Sequence, residues 1–471
     1  MDKKTITLAN NLGIFAISNF ASKILVFLLV PLYTNILSTD EYGIYDLVVT
    51  TISLLIPIIS LNIIDALMRF LMDQQIDKSQ VASIGIYYTF LSIIIFSSLT
   101  YFFCLFSVGQ KINGYELLII LYYIFYALNL YCVHFAKGIE KIKETAFAGV
   151  IGSVSMISMN IFFLCYLKYG LKGFFLANII SHALPSVFLM LSLKIWKYIK
   201  VKKLNHELEC KMLGYSVPLV VTAVGWWVNN GSDKYIVTMV CGVSACGLLS
   251  VAYKIPSIIN TFQSIFIQAW QISAIKEFGK KETCIFYGRT FSFINFMMCL
   301  SCSILIIFTK PLSRILFAKE FYLAWELIPF LLVSCVFNSA SGVLGPILSA
   351  KKNSKILAFS AFWGAVINIL LNIVLVNFIG IQGTTIATAF SSFIIFGLRY
   401  INLKCDLILE KKFTIIFTWI LLIFQTLVEI FTNMWIIEVA IIITIIMINR
   451  FYFSAIINFM AKLLKHTKIT F

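Results

Sequence analysis

Apolar residues run along the chain in blocks of about twenty, separated by short polar segments. Each block is long enough to cross a bilayer as a helix. Fourteen are predicted, over approximately 11–36, 44–69, 81–107, 116–136, 145–167, 173–193, 213–240, 248–275, 290–309, 327–349, 356–378, 383–403, 413–432 and 435–453. The pattern predicts an all-α polytopic membrane protein. The longest polar segment on one side is 195–211; on the other it is 309–326, read as an amphipathic connector.

A few spans break the apolar rule. In span eight Ser250, Lys254, Ser257, Thr261, Ser264, Gln268 and Gln271 follow one another at spacings of 4, 3, 4, 3, 4 and 3. On one continuous helix they share a face. Polar packing between helices explains two or three such residues. Seven, with a lysine among them, point to a water-filled cavity. Span seven holds WWVNNGSDKYIVTMV (226–240), with Asn230 and Asp233 on one face and Lys234 beside it. Span two carries Asn62, Asp65 and Arg69 at spacings of 3 and 4, which fits either a cavity face or a local Asp65–Arg69 pair. Span one carries Asn19 and Lys23 one turn apart near mid-depth.

Asp233 and Lys254 each fall about 10 Å from the same membrane face at the helical rise, so a structural pair is one reading of both. Lys234 points roughly 100° away from Asp233 and needs another partner or a ligand. With Asp233 set against Lys254, Lys23 and Lys234 are left uncompensated. A weakly cationic gap favours an anionic ligand. Asn368 and Asn372 read as interhelical hydrogen-bonding residues.

Composition agrees with the span count. Of 471 residues, 60% are hydrophobic and only 12% charged, against roughly 25% charged in soluble proteins. Mean hydropathy is +0.94. The net charge of +16 does not indicate nucleic acid; it reads as loops beside an anionic leaflet. With the N-terminus inside, the 37 Lys and Arg fall 28 on the inner side, 6 on the outer side and three within spans (Lys23, Lys234 and Lys254). That bias predicts both termini in the cytoplasm and an even number of spans. The first block is too long for a signal peptide, contains Lys23 and lacks a small-residue cleavage site. The 11 Cys, including the Cys299–Cys302 pair inside a span, read as small apolar residues. The four His lack metal-ligand spacing, and no nucleotide, nucleophile or cofactor motif is present, so no metal or cofactor is expected.

The chain also repeats. Gly170, Gly173 and Ala177 match Gly380, Gly383 and Ala387 at an offset of 210, and Lys143, Gly152 and Asn160 match Lys355, Gly364 and Asn372 at 212. Gly43 falls opposite Gly247 at 204. Six spans thus occur twice in the same orientation, predicting two pseudo-symmetric six-helix lobes with a site between them. The expected divisions are 1–193 for the first lobe, 194–212 for a basic linker, 213–404 for the second lobe, and 405–471 for two further spans and a cytoplasmic tail.

SDKYIVTMVCGVSACGLLSVAYKIPSI (232–258), PLYTNILSTDEYGIYDLV (31–48), ALMRF (66–70) and AKGIEKIKE (136–144) together resemble bacterial polysaccharide exporters. These are the Wzx-like flippases of the multidrug/oligosaccharidyl-lipid/polysaccharide exporter superfamily. The resemblance implies a V-shaped, two-lobed flippase in the bacterial cytoplasmic membrane. It would move an undecaprenyl-diphosphate-linked O-antigen, capsule or exopolysaccharide unit from the cytoplasmic to the outer leaflet. Alternating access would be driven by a gradient, with a proton or sodium ion as candidate coupling ion. Membrane lipids, and a polymerase and glycosyltransferases of the same pathway, would be its partners. Lys23, Arg69, Lys234 and Lys254 sit where the family carries basic cavity residues. The rival readings are an organic-cation exporter of the same superfamily, a polysaccharide polymerase and a non-transporting scaffold. An excess of basic over acidic residues within spans weighs against the first. The small outer loop, without His, weighs against the second, and the polar stripe against the third.

Overall fold

The computed structural model describes residues 27–454, apart from 74, 105–113, 201–204, 281, 352, 405, 410 and 433. The described residues contain helices and no strand. In chain order they are α1 (Val30–Ile36), α2 (Thr39–Ile59), α3 (Ile63–Leu71), α4 (Lys78–Cys104), α5 (Glu116–Gly138), α6 (Ile142–Asn160), α7 (Gly170–Leu193), α8 (His206–Cys241) and α9 (Val243–Ala252). There follow α10 (Lys254–Glu277), α11 (Thr283–Ile307), α12 (Thr309–Leu316), α13 (Ile328–Ala350), α14 (Ser354–Ile379), α15 (Gln382–Leu403), α16 (Lys412–Phe431) and α17 (Trp435–Ile448). Eleven helices are long and apolar enough to cross a bilayer, and the bent pair α9–α10 makes a twelfth crossing. This is a multi-pass membrane protein. Of the two other expected spans, the first lies mostly outside the described residues. The last reaches only 14 residues within them, about 21 Å at the helical rise.

Two expected spans are not continuous helices. The second stops at Ile59 and resumes at Ile63. Leu61 and Asn62 are left-handed, at φ 52 and 51, with the Leu61 amide on Ile58 O and the Asn62 amide on Pro57 O. This crossed pair of bonds satisfies the last carbonyls of α2 and ends it. The eighth span bends by 43° between Ala252 and Lys254. Pro256 is the reason: it has no N–H for the Ala252 carbonyl and its ring crowds that oxygen, so a new helix begins instead. The 309–326 connector is α12 followed by a 3-10 helix at Lys319–Leu327.

The repeat is visible in the backbone. Gly170 and Gly380 both turn at positive φ, 54 and 65, the first opening α7 and the second two residues ahead of α15, a conformation that glycine reaches without strain. Asn160 and Asn372 are both fully buried, and each amide donates to the carbonyl four residues back. Asn368 reaches across to Ser391 at 3.3 Å and joins α14 to α15, as expected. Gly43 and Gly247 pack on each other. A Cβ at Gly43 would stand 2.3 Å from Val243 O, and one at Gly247 2.1 Å from Thr39 O.

The chain packs as two compact units. The first runs to Thr238 and takes in Gly242–Gly247 and Ala318–Glu320; the second holds Met239–Cys241, Leu248–Phe317 and Phe321 onward. By packing, span seven therefore goes with the first unit up to Thr238. In the first unit, Tyr131, Phe135, Leu67 and Leu71 are at the centre of a core shared by α3, α4 and α5. In the second, α11 is tied to α16 by Trp419 Nε1 donating to Asn295 Oδ1 at 2.8 Å and by Gln425 Nε2 donating to Ser303 O at 2.9 Å. Cys299 and Cys302 are buried and free, as their apolar reading expected.

Candidate functional site

The strongest polar constellation of the first unit lies between α2 and α8. The Lys234 Nζ is 2.5 Å from Asp46 Oδ2, and the side chains are only 17% and 14% exposed. The same ammonium donates to Thr50 Oγ1 at 3.2 Å. At the next residue of each helix, Thr51 and Tyr235 share a hydrogen bond. Trp227 Nε1 donates to Thr50 O at 2.8 Å. α8 is 36 residues long, roughly 54 Å at the helical rise, well beyond a hydrocarbon core of about 30 Å. Lys234 stands seven residues from its Cys241 end, roughly 10 Å along the axis.

This corrects the charge count. Lys234 is not left uncompensated: Asp46 is its partner. Asp46 was not among the expected site residues. Its signal was a lone carboxylate in an apolar block, inside the YGIYDLV stretch. Asp233, on the same helix, is 2% exposed and belongs to the first unit. Lys254 opens α10 in the second unit and is half-buried. Asn230 lies on α8. Lys23 and Asn19 fall outside the described residues.

The span-two trio separates. Asn62 sits in the break, and its amide donates to Asp65 Oδ2 at 2.8 Å. Asp65 lies 3.7 Å from His134 Nε2 on α5. Among the described residues it makes no ion pair with Arg69, which is exposed in the last turn of α3. The local Asp65–Arg69 pair is therefore replaced by an Asn62–Asp65–His134 arrangement, because the helix break turns Asn62 into the residue that opens α3. Alongside, α5, α6 and α7 enclose a cavity of about 280 Å³ lined by Asn129, Lys137, Ser153 and His182.

The span-eight stripe also changes. The bend at Tyr253 takes Ser250 off the common face, and Ser250 is buried at 4% exposure. Ser257, Ser264, Gln268 and Gln271 are exposed along α10, while Thr261 is buried. The hydroxyls of Ser257, Thr261 and Ser264 donate to Lys254 O, Ser257 O and Thr261 O at 2.6 to 2.8 Å. The chain thus satisfies these hydroxyl protons itself, leaving oxygen lone pairs and the glutamine amides as the polar surface of α10.

A short ion pair thus joins two of these apolar helices. The fold is shared with solved structures of transporters. A solved structure of the lipid II flippase MurJ in an inward closed conformation matches at a TM-score of 0.68 and 16% identity, over 94% of this chain and 99% of that one. The chain belongs to the polysaccharide biosynthesis protein family, whose profile matches residues 8–271. An uncharacterized membrane protein of Methanocaldococcus jannaschii is 27% identical over 272 residues, 55% of this chain and 60% of that protein. The probable low-salt glycan biosynthesis flippase Agl15 of Haloferax volcanii is 23% identical over 300 residues, 60% of each chain. The chain thus spans about three fifths of the length of these relatives. Both are archaeal, whereas the resemblance in the sequence pointed to bacterial exporters.

Proposed function

We propose that the protein is a flippase for a polyprenyl-diphosphate-linked oligosaccharide, carrying it from the cytoplasmic to the outer leaflet by gradient-driven alternating access. Both termini are cytoplasmic in this reading, and the two six-span repeats, divided at 194–212, are the halves that alternate. The observation that carries it is the Lys234–Asp46 pair inside the spans of a polysaccharide-biosynthesis family member. A diphosphate needs a cation that ordinary lipid does not offer. Lys234 is such a cation, its charge balanced by Asp46 until an anion competes for it. Exchange of Asp46 for a phosphate oxygen keeps the lysine paired throughout. Arg69 and Lys254, with Lys23, add to the attraction, and the exposed Ser257, Ser264 and Gln268 offer hydrogen bonds to sugar hydroxyls. Asn62, Asp65, Asn230, Asp233, Ser250 and Thr261 complete the proposed polar lining.

The test is export of lipid-linked glycan in cells that depend on this protein, at matched membrane abundance. Lys234→Gln is expected to lower export at least tenfold, and Lys234→Arg to keep part of it. Asp46→Asn with Lys234→Gln should stay as low as Lys234→Gln alone, because the cation is still missing. Normal export by the double variant would overturn the anion reading and favour an organic-cation exporter.

A further inference from the structure

At one end of the last helix pair, three charged side chains meet that the reading above does not use. Glu429 lies in the last turn of α16 and Glu438 in the first turn of α17; they are 3% and 1% exposed. Their carboxyl groups lie within hydrogen-bonding reach of each other. Glu429 Oε1 and Glu438 Oε2 are nevertheless buried with no hydrogen-bond donor among the described residues. Lys310, on α12, places Nζ 3.7 Å from Glu429 Oε1 and donates to Glu429 O at 2.9 Å. Its ammonium also rests over the Trp325 ring, 4.3 Å from the centroid. The side chains that join α16 and α17 to α11 and α13 elsewhere are uncharged: Asn295, Ser303, Phe296 and Phe337. Lys310 and Glu438 are the charged groups acting on Glu429.

Charge parity then decides the chemistry. One ammonium neutralises one carboxylate. A second buried carboxylate beside the first, with no cation of its own, is strongly disfavoured. Two neighbouring carboxyl groups gain a hydrogen bond when one proton is placed between them. We propose that Glu429 and Glu438 share a single exchangeable proton next to Lys310, making the outer end of the α16–α17 pair a proton-binding site. The proton belongs to the pair and not to either residue. Lys310 is 17% exposed and is the part of the cluster that reaches the protein surface. On release the proton passes to water and the cluster goes from neutral to one negative charge. A sodium ion fits the site less well, since it needs several oxygen ligands and would sit beside an ammonium. That this end faces outward rests on the orientation proposed above; the proton itself does not.

The experiment is infrared titration of the purified full-length protein in lipid nanodiscs. Wild type should show a protonated-carboxyl band at neutral pH that disappears as the pH is raised. Glu429→Gln and Glu438→Gln should each abolish it, because each leaves one carboxylate matched to Lys310. Both changes preserve side-chain shape, and the wild-type titration needs no variant. The proposal is overturned if wild type lacks the band or if both variants keep it. Loss in one variant only would place the proton on a single residue and overturn sharing. Displacement of the band by sodium at constant pH would make this a sodium site and also overturn the proposal. The readout involves no transport. A failed export test would leave the band in place, and a missing band would leave the flippase reading untouched.

Discussion

Lys234 and Lys310 are both lysines held against carboxylates among apolar helices, yet they meet different numbers of them. Lys234 faces one aspartate and a threonine hydroxyl. Lys310 faces one glutamate that has a second beside it, a backbone carbonyl and an indole ring. The first arrangement is neutral as it stands. The second becomes neutral only with a proton. The count of carboxylates thus separates the pair proposed to yield to an incoming anion from the cluster proposed to exchange a proton.

The largest expected effect breaks the one-to-one pair. Lys234→Gln leaves Asp46 poorly hydrated and without a cation. Stranding one partner of a buried pair costs about 3–5 kcal/mol, and the partial exposure here places the loss near the lower end. Lys234→Gln with Asp46→Asn should recover most of the unfolding midpoint in detergent, although export stays low. An unfolding midpoint for the double variant as low as the single one would show that the lysine stem, not the charge, holds α2 to α8.

The matching change at the other site should be milder and depend on pH. Lys310→Met leaves two carboxyl groups that can become neutral by binding a second proton. The folded variant then binds more protons than the unfolded chain, so its stability falls as pH rises. A loss of roughly 1–2 kcal/mol is expected at neutral pH, the cost of buried polar atoms left unsatisfied, with much less under acid conditions. Midpoints measured across pH check this. A loss independent of pH would mean that Lys310 contributes only packing over Trp325.

These two sites also mark how much could be read from the sequence. Span count rests on composition and period, the repeat on matches at a near-constant offset, and the family resemblance on stretches such as 232–258 and 31–48; local sequence carries all three. The repeat even reached the backbone, at Gly170 and Gly380. The partners did not show. Asp46 looks like a lone acid until α8 brings Lys234 to it; Thr50 and Lys234 are 184 residues apart. Lys310 reads as an outer-loop charge, because loop counts ignore what a side chain reaches. Nothing in the local sequence marks Glu429, 119 residues on, as its partner. The stripe in span eight assumed an unbroken helix, and Pro256 breaks it. The trio in span two failed for a subtler reason: Leu61 takes a left-handed conformation with no glycine to announce it.

Arg69 supplies the smallest effect and sharpens the comparison from the other side, as a cation near a span end with no carboxylate among the described residues. It is exposed and occupies the last turn of α3, where the helix dipole favours a positive charge by about 0.3–1 kcal/mol. Arg69→Gln should therefore leave the unfolding midpoint within about 0.5 kcal/mol of wild type, the range of ordinary surface changes. Its effect on export is a separate matter. An exposed cation that no carboxylate claims is available to a phosphate without any exchange. Export by Arg69→Gln should fall several-fold, less than for Lys234→Gln, with Arg69→Lys intermediate. A variant that is as stable as wild type and exports as well would remove Arg69 from the proposed site. A variant that loses stability would show a partner that this account of α3 does not contain.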